Sequence, residues 1–186
     1  MTAALALATS EDVAGMLAIY APLVRDTCVS WELEAPSHDE LRSRVEHTMA
    51  DGFPWLVARS GDSVLGYAYA HPFRARRGYR FTCESSIYLH ASARGQGLGA
   101  RLYGALLEIL RRQGFAVVVA GIALPNEASL RLHERMGFRP VGTFEGIGHK
   151  HGRVLDAAFL QRDLTPRVHP PGDAPVPFSA LALSFD

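Results

Sequence analysis

Arg94-Gly95-Gln96-Gly97-Leu98-Gly99 stands between residues 84–90, which read as a strand, and residues 98–112, which read as an amphipathic helix. A glycine-dense turn at a helix start aims several backbone N–H groups at one point and makes a seat for phosphate or pyrophosphate. Glycine also permits φ > 0 and lets a ligand approach with no Cβ in the way. Arg94 adds a cation at the mouth. The stretch therefore predicts a binder of a phosphorylated small molecule, with a plain tight turn as the bland alternative. Gly95, Gly97 and Ala100 fit the spacing of a dinucleotide fingerprint, which asks for an acid ~20 residues on. That region is Phe115-Ala116-Val117-Val118-Val119-Ala120, without an acid. A P-loop asks for Lys-Ser/Thr after the last glycine, and Ala100-Arg101 stands there. Both standard nucleotide readings are weakened.

Working outward, residues 4–8 read as a first strand. Thr9 with Asp12 reads as a helix cap ahead of Val13, Met16, Leu17 and Tyr20, with Pro22 marking a kink or an end. Residues 27–33 connect to a second capped helix, Ser37 with Glu40, which runs through Leu41, Val45 and Met49 to Gly52. Residues 54–59 and 64–70 form a hairpin turned at Gly61-Asp62. A basic segment, 74–77, precedes a long central strand, 79–90. After the glycine turn and its helix, the nearly apolar run 115–124 fits a strand covered on both faces. A short helix, 127–136, ends at Gly137. Two strands follow, 138–145 and 153–164, around a loop at 146–152. The order β-α-α-β-β-β-α-β-α-β-β predicts an α/β fold with a mixed sheet. Three antiparallel strands before the glycine turn argue against a doubly wound nucleotide domain. From residue 165 the chain turns proline-rich, and its apolar end, 178–185, is suited to docking. The expected division is one domain over 1–164 and a tail over 165–186.

Bulk composition narrows the function classes. Nineteen basic and nineteen acidic residues balance to zero formal charge, so no global field favours nucleic acid or an anionic membrane. Cys28 and Cys83 are too few for a disulfide framework and read as free thiols. The apolar start carries no Lys or Arg before Arg25, unlike a secretory signal, and no run approaches the ~18 apolar residues of a membrane span. A cytoplasmic location is the expectation.

Two motifs carry a resemblance. The glycine turn is similar to the pyrophosphate turn of the GNAT superfamily of acyl-CoA N-acyltransferases. Asn126-Glu127-Ala128-Ser129-Leu130-Arg131-Leu132-His133-Glu134-Arg135-Met136-Gly137-Phe138 resembles that superfamily's second signature, an Asn-led helix ending in Gly-Phe. The order of elements agrees over roughly residues 4–164. Residues 79–84, 121–133, 148–152 and 161–163 further resemble the phosphinothricin acetyltransferase branch, whose members acetylate the α-amine of phosphinothricin, methionine sulfoximine or methionine sulfone. The sequence departs from that branch at Phe81, where Trp or His is common, and at Trp31, where Phe is common.

The resemblance implies a GNAT-like fold, acetyl-CoA as co-substrate, a small-molecule amine acceptor and a homodimer. It assigns Arg94, Gly95, Gln96, Gly97, Leu98 and Gly99 to the pyrophosphate, the backbone of Ile87, Tyr88 and Leu89 to the pantetheine arm, and Asn126 and Ser129 to the same cofactor. Glu84 is a carboxylate in the middle of a strand, costly to bury without a purpose and suited to general-base work; it also matches the base of the branch. His133 stands where many members carry a Tyr that protonates the leaving thiolate, and a histidine can give or take a proton near pH 7. Trp31, Arg74, Arg76 and Tyr79 are the acceptor-side candidates, because Arg binds carboxylate and phosphinate bidentately. His149 and His151 look like a metal pair, but no third ligand is placed and no metal is expected. Other acceptors (a polyamine, an antibiotic, a protein N-terminus) and a non-catalytic acyl-CoA sensor are the alternatives. Glu84 together with His133 speaks against the sensor, and Cys83 as a nucleophile is the rival mechanism.

Overall fold

Alternation along the strands decides which side chains lie under which helix. The computed structural model describes residues 3–166 and 172–185. Its elements follow as β1 (Ala4–Leu7), α1 (Val13–Asp26), α2 (His38–Ala50), β2 (Trp55–Ser60), β3 (Ser63–Pro72), β4 (Thr82–Leu89), α3 (Leu98–Gln113), β5 (Val117–Ala123), α4 (Glu127–Arg135), β6 (Arg139–Lys150) and β7 (Arg153–Asp163). This is the α/β order expected from the sequence. The strands form one seven-stranded sheet in the order β1-β2-β3-β4-β5-β7-β6. Neighbours are antiparallel except β4 and β5, which are parallel.

Two cores sit on opposite faces. Leu56 and Ala58 of β2 join Leu102, Leu106 and Leu110 of α3 on one face. Trp55 and Val57 of the same strand join Met16 and Val24 of α1 and Leu41 and Val45 of α2 on the other. The Thr9–Asp12 box opens a 3-10 turn, Ser10–Asp12, from which α1 continues, and α2 begins where its cap predicts. Ser37 Oγ accepts the Glu40 N–H at 3.2 Å while Glu40 returns a carboxylate to the Ser37 N–H at 2.7 Å. Gly114, at φ 93°, ends α3 in the left-handed conformation that glycine adopts most readily.

Four boundaries differ from expectation. Pro22 neither ends nor breaks α1, which runs on to Asp26. The central strand begins at Thr82, not at Tyr79, because Arg77–Tyr79 form a 3-10 turn. Likewise β5 begins at Val117, since the N–H groups of Ala116 and Val117 both donate to the Phe81 carbonyl. Finally, β6 extends through the glycine-rich stretch to Lys150, leaving only His151-Gly152 as the turn.

Of the proline-rich tail, residues 167–171 and 186 lie outside the described residues. The described part forms one 3-10 turn, Phe178–Ala180, and docks as its apolar composition suggested. Phe178 is buried in the α3 core. The Phe178 N–H donates to the Gly52 carbonyl at 3.1 Å, and Gln113 Nε2 donates to the carbonyls of Gly52 and Val176. Among the described residues no helix is long and apolar enough to cross a membrane.

Candidate active site

Strands β4 and β5 run side by side only at their start. Thr82, Cys83 and Glu84 face Val117, Val118 and Val119. Beyond them β4 stays with β3 as far as Leu89, and β5 stays with β7 as far as Ala123. The two strands therefore part into a fork, and a groove of about 520 Å³ fills it, bordered by residues 85–89 on one side and 120–123 on the other. The edge of β4 that would ladder to β5 is thus left without a described strand partner along residues 85–89, which makes it a place where a ligand can pair with backbone N–H and C=O groups.

The glycine turn closes one end of this groove. Gly95 and Gly97 adopt φ of 74° and 79°. No described residue lies within 4 Å of the place a Cβ would take at either. Arg94 folds back, its guanidinium donating to the Leu89 carbonyl from Nε at 3.4 Å and Nη2 at 3.3 Å. Gln96 and Leu98 do not line the groove. Gln96 Nε2 donates to the Ser92 carbonyl at 2.6 Å, and Leu98 belongs to the core, so their side chains serve the turn itself.

Helix α4 forms another wall. Asn126 Oδ1 accepts the Ser129 N–H at 3.2 Å, so this residue caps the helix and borders the groove at once. His133 is buried, with its ring edge-on to Tyr103 and Phe138 at 5.1 Å each. Its Nδ1 lies 2.8 Å from the Ser129 carbonyl oxygen, which can only accept, so Nδ1 carries the proton and Nε2 of the neutral ring is bare. Burial pushes the imidazole pKa below its ordinary value, although the Ser129 bond opposes this. Near neutral pH the ring offers an acceptor nitrogen rather than a donor.

Strand parity separates the two catalytic candidates. Ser85 Oγ meets Tyr103 Oη at 2.7 Å, on the α3 face, where His133 also packs. Glu84 and Ser86 are turned to the other face, with Tyr88, whose ring meets Tyr20 of α1 at 5.0 Å. Glu84 is half-buried, opposite His71 of β3, and its Oε1 lies 3.4 Å from where a Cβ on Gly121 would sit. The glycine at 121 keeps the carboxylate uncrowded at the root of the fork. Cys83, next to it, is wholly buried on the α3 side, and burial pushes its thiol far above the ordinary range.

A parallel-to-antiparallel sheet forked around a groove, with a glycine turn at one end, narrows the possible families, and the sequence profile of the acetyltransferase (GNAT) family matches residues 10–138. The chain belongs to the GNAT family of acetyltransferases. It is similar to the phosphinothricin N-acetyltransferase of Streptomyces viridochromogenes, with 40% identity over 84% of this chain and 85% of that protein. It is also similar to the L-methionine sulfoximine/L-methionine sulfone acetyltransferase of Pseudomonas aeruginosa, with 41% identity over 89% of this chain and 97% of that one. Among solved structures it superposes on a GNAT superfamily phosphinothricin acetyltransferase from Sinorhizobium meliloti, determined in complex with AcCoA, with TM-score 0.86 and 36% identity over 94% of this chain and 98% of the other.

The acceptor-side candidates of this GNAT chain lie off the groove. Arg74 and Arg76 are exposed just past the end of β3, and the Arg74 guanidinium covers the Phe73 ring at 4.8 Å. Tyr79 is 45% exposed and packs edge-on to Phe73 at 5.7 Å. Trp31 is 43% exposed. Two arginines go unnoticed in the sequence: Arg131 and Arg135, one helical turn apart on α4, both border the groove with Arg94. Their four-residue spacing is the signal that could have found them. Among the described residues no group of three His, Cys, Asp or Glu side chains could hold a metal ion.

Proposed function

We propose that this chain transfers an acetyl group from acetyl-CoA to the primary amine of a small amino-acid-like acceptor of the phosphinothricin or methionine sulfoximine and sulfone kind. The parting of β4 from β5 just beyond Glu84 carries this reading, because it sets an unpaired strand edge and a glycine turn at a helix start along one groove, while the Glu84 carboxylate, itself outside the groove lining, stands against Gly121 of the groove wall. The residues present fit the co-substrate. An extended arm bearing amides suits the β4 edge as an added strand would. The N–H groups around Gly95 and Gly97 suit a pyrophosphate, with Arg94, Gln96, Leu98 and Gly99 shaping the turn. Bound acetyl-CoA supplies the activated acyl group. Backbone groups of Ile87, Tyr88 and Leu89 hold the arm and set one N–H toward the acyl oxygen, while Asn126 and Ser129 border it.

In this reading Glu84 takes the proton from the acceptor's ammonium, directly or through one water, and frees the amine to attack. Arg74 and Arg76 receive the acidic group of the acceptor, with Tyr79 and Trp31 bordering it. His133 accepts a hydrogen bond at the floor of the groove and does not act as the acid. The catalytic unit is residues 1–164, with 165–186 as an appended tail. The named relatives support the acceptor class. Thiol release measured across a panel of amines tests it, with turnover expected on the amino-acid analogues above polyamines, antibiotics and peptide N-termini. Turnover confined to one of the latter would overturn the acceptor class. Tight acetyl-CoA binding with no turnover on any amine would overturn the enzyme reading in favour of a sensor.

Attack without a covalent enzyme intermediate follows from the position of Cys83. Replacement by Ala is expected to leave kcat within about threefold, a change of at most about 0.6 kcal/mol in the barrier. A loss of several orders of magnitude would restore the thiol as nucleophile.

We also infer a cytoplasmic homodimer. Val141, Phe144 and Ile147 of the edge strand β6 and Val154 of its neighbour β7 are all more than half exposed. Sedimentation equilibrium is expected to give twice the 20.3 kDa chain mass, and Phe144→Lys with Ile147→Lys to return it toward one chain. A monomeric wild type at micromolar concentration would remove the dimer, and recovery of the native protein outside the cytoplasm on fractionation would remove the location.

A further inference from the structure

The stretch between α1 and α2 has no helix or strand of its own from residue 27 to 37, yet it carries Thr27 and Val29 into the groove, with Trp31 and Glu32 following outside it. Side chains hold it. Tyr20 Oη donates to Glu32 Oε1 at 3.0 Å and meets Ser30 Oγ at 2.7 Å. Ser30 Oγ in turn accepts the Glu32 N–H at 3.2 Å, and Arg44 of α2 grips both Glu32 oxygens, at 2.6 and 3.3 Å. Tyr20 also touches Tyr88, a groove residue. The loop is therefore tied at once to α1, α2 and the groove wall.

The remaining ties come from the far end of the sheet. Lys150, the last residue of β6, is 3% exposed, and its Nζ donates to the Ser30 carbonyl at 2.8 Å. A buried ammonium is costly unless it is paired or hydrogen-bonded, so a lysine here signals a bond that matters. Two residues earlier, a Cβ on Gly148 would fall 1.9 Å from Trp31 Cζ3 and 2.7 Å from Cε3. The indole rests directly on the backbone of β6, and any side chain at 148 would unseat it. A glycine inside a strand commonly marks such a close approach.

We propose that the end of β6 is the latch of the acceptor pocket: Lys150 is a positioning residue that fixes the Ser30 carbonyl, and Gly148 is kept as glycine by the seat of Trp31. The latch rests on the acetyltransferase reading for its kinetic consequence, and on geometry alone for its structural one. Its main effect falls on the acceptor side, because Lys150 and Trp31 do not line the groove and the glycine turn at its end is built from other elements. It also gives the His149-Lys150-His151 stretch a role that needs no metal.

The full-length chain tests this with Lys150→Met, Gly148→Ala, Trp31→Ala and the double variant Gly148→Ala/Trp31→Ala. Amide hydrogen exchange over residues 28–33 is expected to speed up about tenfold in Lys150→Met, the scale of losing a hydrogen bond to a charged group. The acceptor KM is expected to rise about tenfold in Lys150→Met and Gly148→Ala, with the acetyl-CoA KM within about twofold of wild type. The Gly148→Ala effect should vanish in the Trp31→Ala background, since the clash has gone. Unchanged exchange in Lys150→Met would overturn the latch, as would equal rises in both KM values or a Gly148→Ala effect that persists without the indole. If the wild type turns over no amine, the functional reading fails and the exchange rates alone decide the latch. If Lys150→Met fails to fold, Gly148→Ala, which alters one contact at a hairpin end, carries both measurements.

Discussion

Replacing Glu84 by Gln is expected to lower kcat by about two to three orders of magnitude, within the range that a positioned general base supplies, and to leave the acetyl-CoA KM within about twofold. The change keeps the size of the side chain beside Gly121, so the fork is not disturbed. What it removes is the group that can take a proton from the acceptor. A peptide α-ammonium has a pKa of about 8, and the neighbouring carboxylate of a free amino acid raises it further, so nearly all of the acceptor arrives protonated at pH 7. The deficit of the variant should therefore narrow as pH rises toward 9 and the free amine is supplied by solution. Steady-state thiol release at saturating acceptor between pH 6.5 and about 9.5 reads this directly. A variant with wild-type kcat, or one whose deficit stays constant over that range, would remove Glu84 as the base. The same assay on Cys83→Ala is the internal contrast. That side chain is adjacent in sequence, yet strand alternation sends it under α3 and away from the acceptor face.

Alternation makes that contrast readable from the amino-acid sequence, and local periodicity is the level at which the chain is most legible. Element type and order follow from periodicity and caps: the box at Ser37 and Glu40, Gly114 after α3, Asn126 before α4. Sequence and fold part company where a long-range contact overrides a local signal. Residues 146–152 carry three glycines and read as a loop, but Gly148 pairs with Leu155 inside a strand, and its lack of a side chain answers to Trp31, which occupies that space. Residues 79–81 look like strand by composition, but the 3-10 turn at Arg77–Tyr79 and the doubly accepting Phe81 carbonyl hold them off the ladder.

The site divides in the same way. The glycine turn, Asn126 and the backbone edge at Ile87, Tyr88 and Leu89 are local in sequence and come together as expected around the groove. The network that holds the loop of Trp31 is assembled from residues far apart in the chain: Tyr20 on α1, Glu32 in the loop itself, Arg44 on α2 and Lys150 on β6. No spacing rule links them, so the sequence offers single residues there and no network. His133 shows the limit most clearly. The helix motif locates it, but the Ser129 carbonyl at its Nδ1, which argues for the proton on that nitrogen, and its packing on Tyr103, on the face away from Glu84, are facts of the fold.

Gly97→Ala is expected to weaken acetyl-CoA binding about a hundredfold, the scale of losing one or two hydrogen bonds to a charged group, while costing the fold only about 1–2 kcal/mol. The two effects have separate causes. Gly97 sits at φ 79°, where a residue with a Cβ is strained whatever the space around it. That strain should lower Tm by a few degrees in a chain of this size. The affinity loss comes from the added methyl group. It would enter space that no described residue occupies, at the end of the groove where the N–H groups converge. Gly61 provides the control. It lies in the turn between β2 and β3, at φ 57°, also with no described residue within 4 Å of a Cβ. Gly61→Ala should therefore cost a similar amount of stability and leave acetyl-CoA affinity unchanged. Calorimetric titration of both variants beside thermal melts separates strain from contact. Equal affinity losses in the two would mean that strain alone is at work. Wild-type affinity in Gly97→Ala would mean that the pyrophosphate is held elsewhere, with Arg131 and Arg135 across the groove as the next candidates.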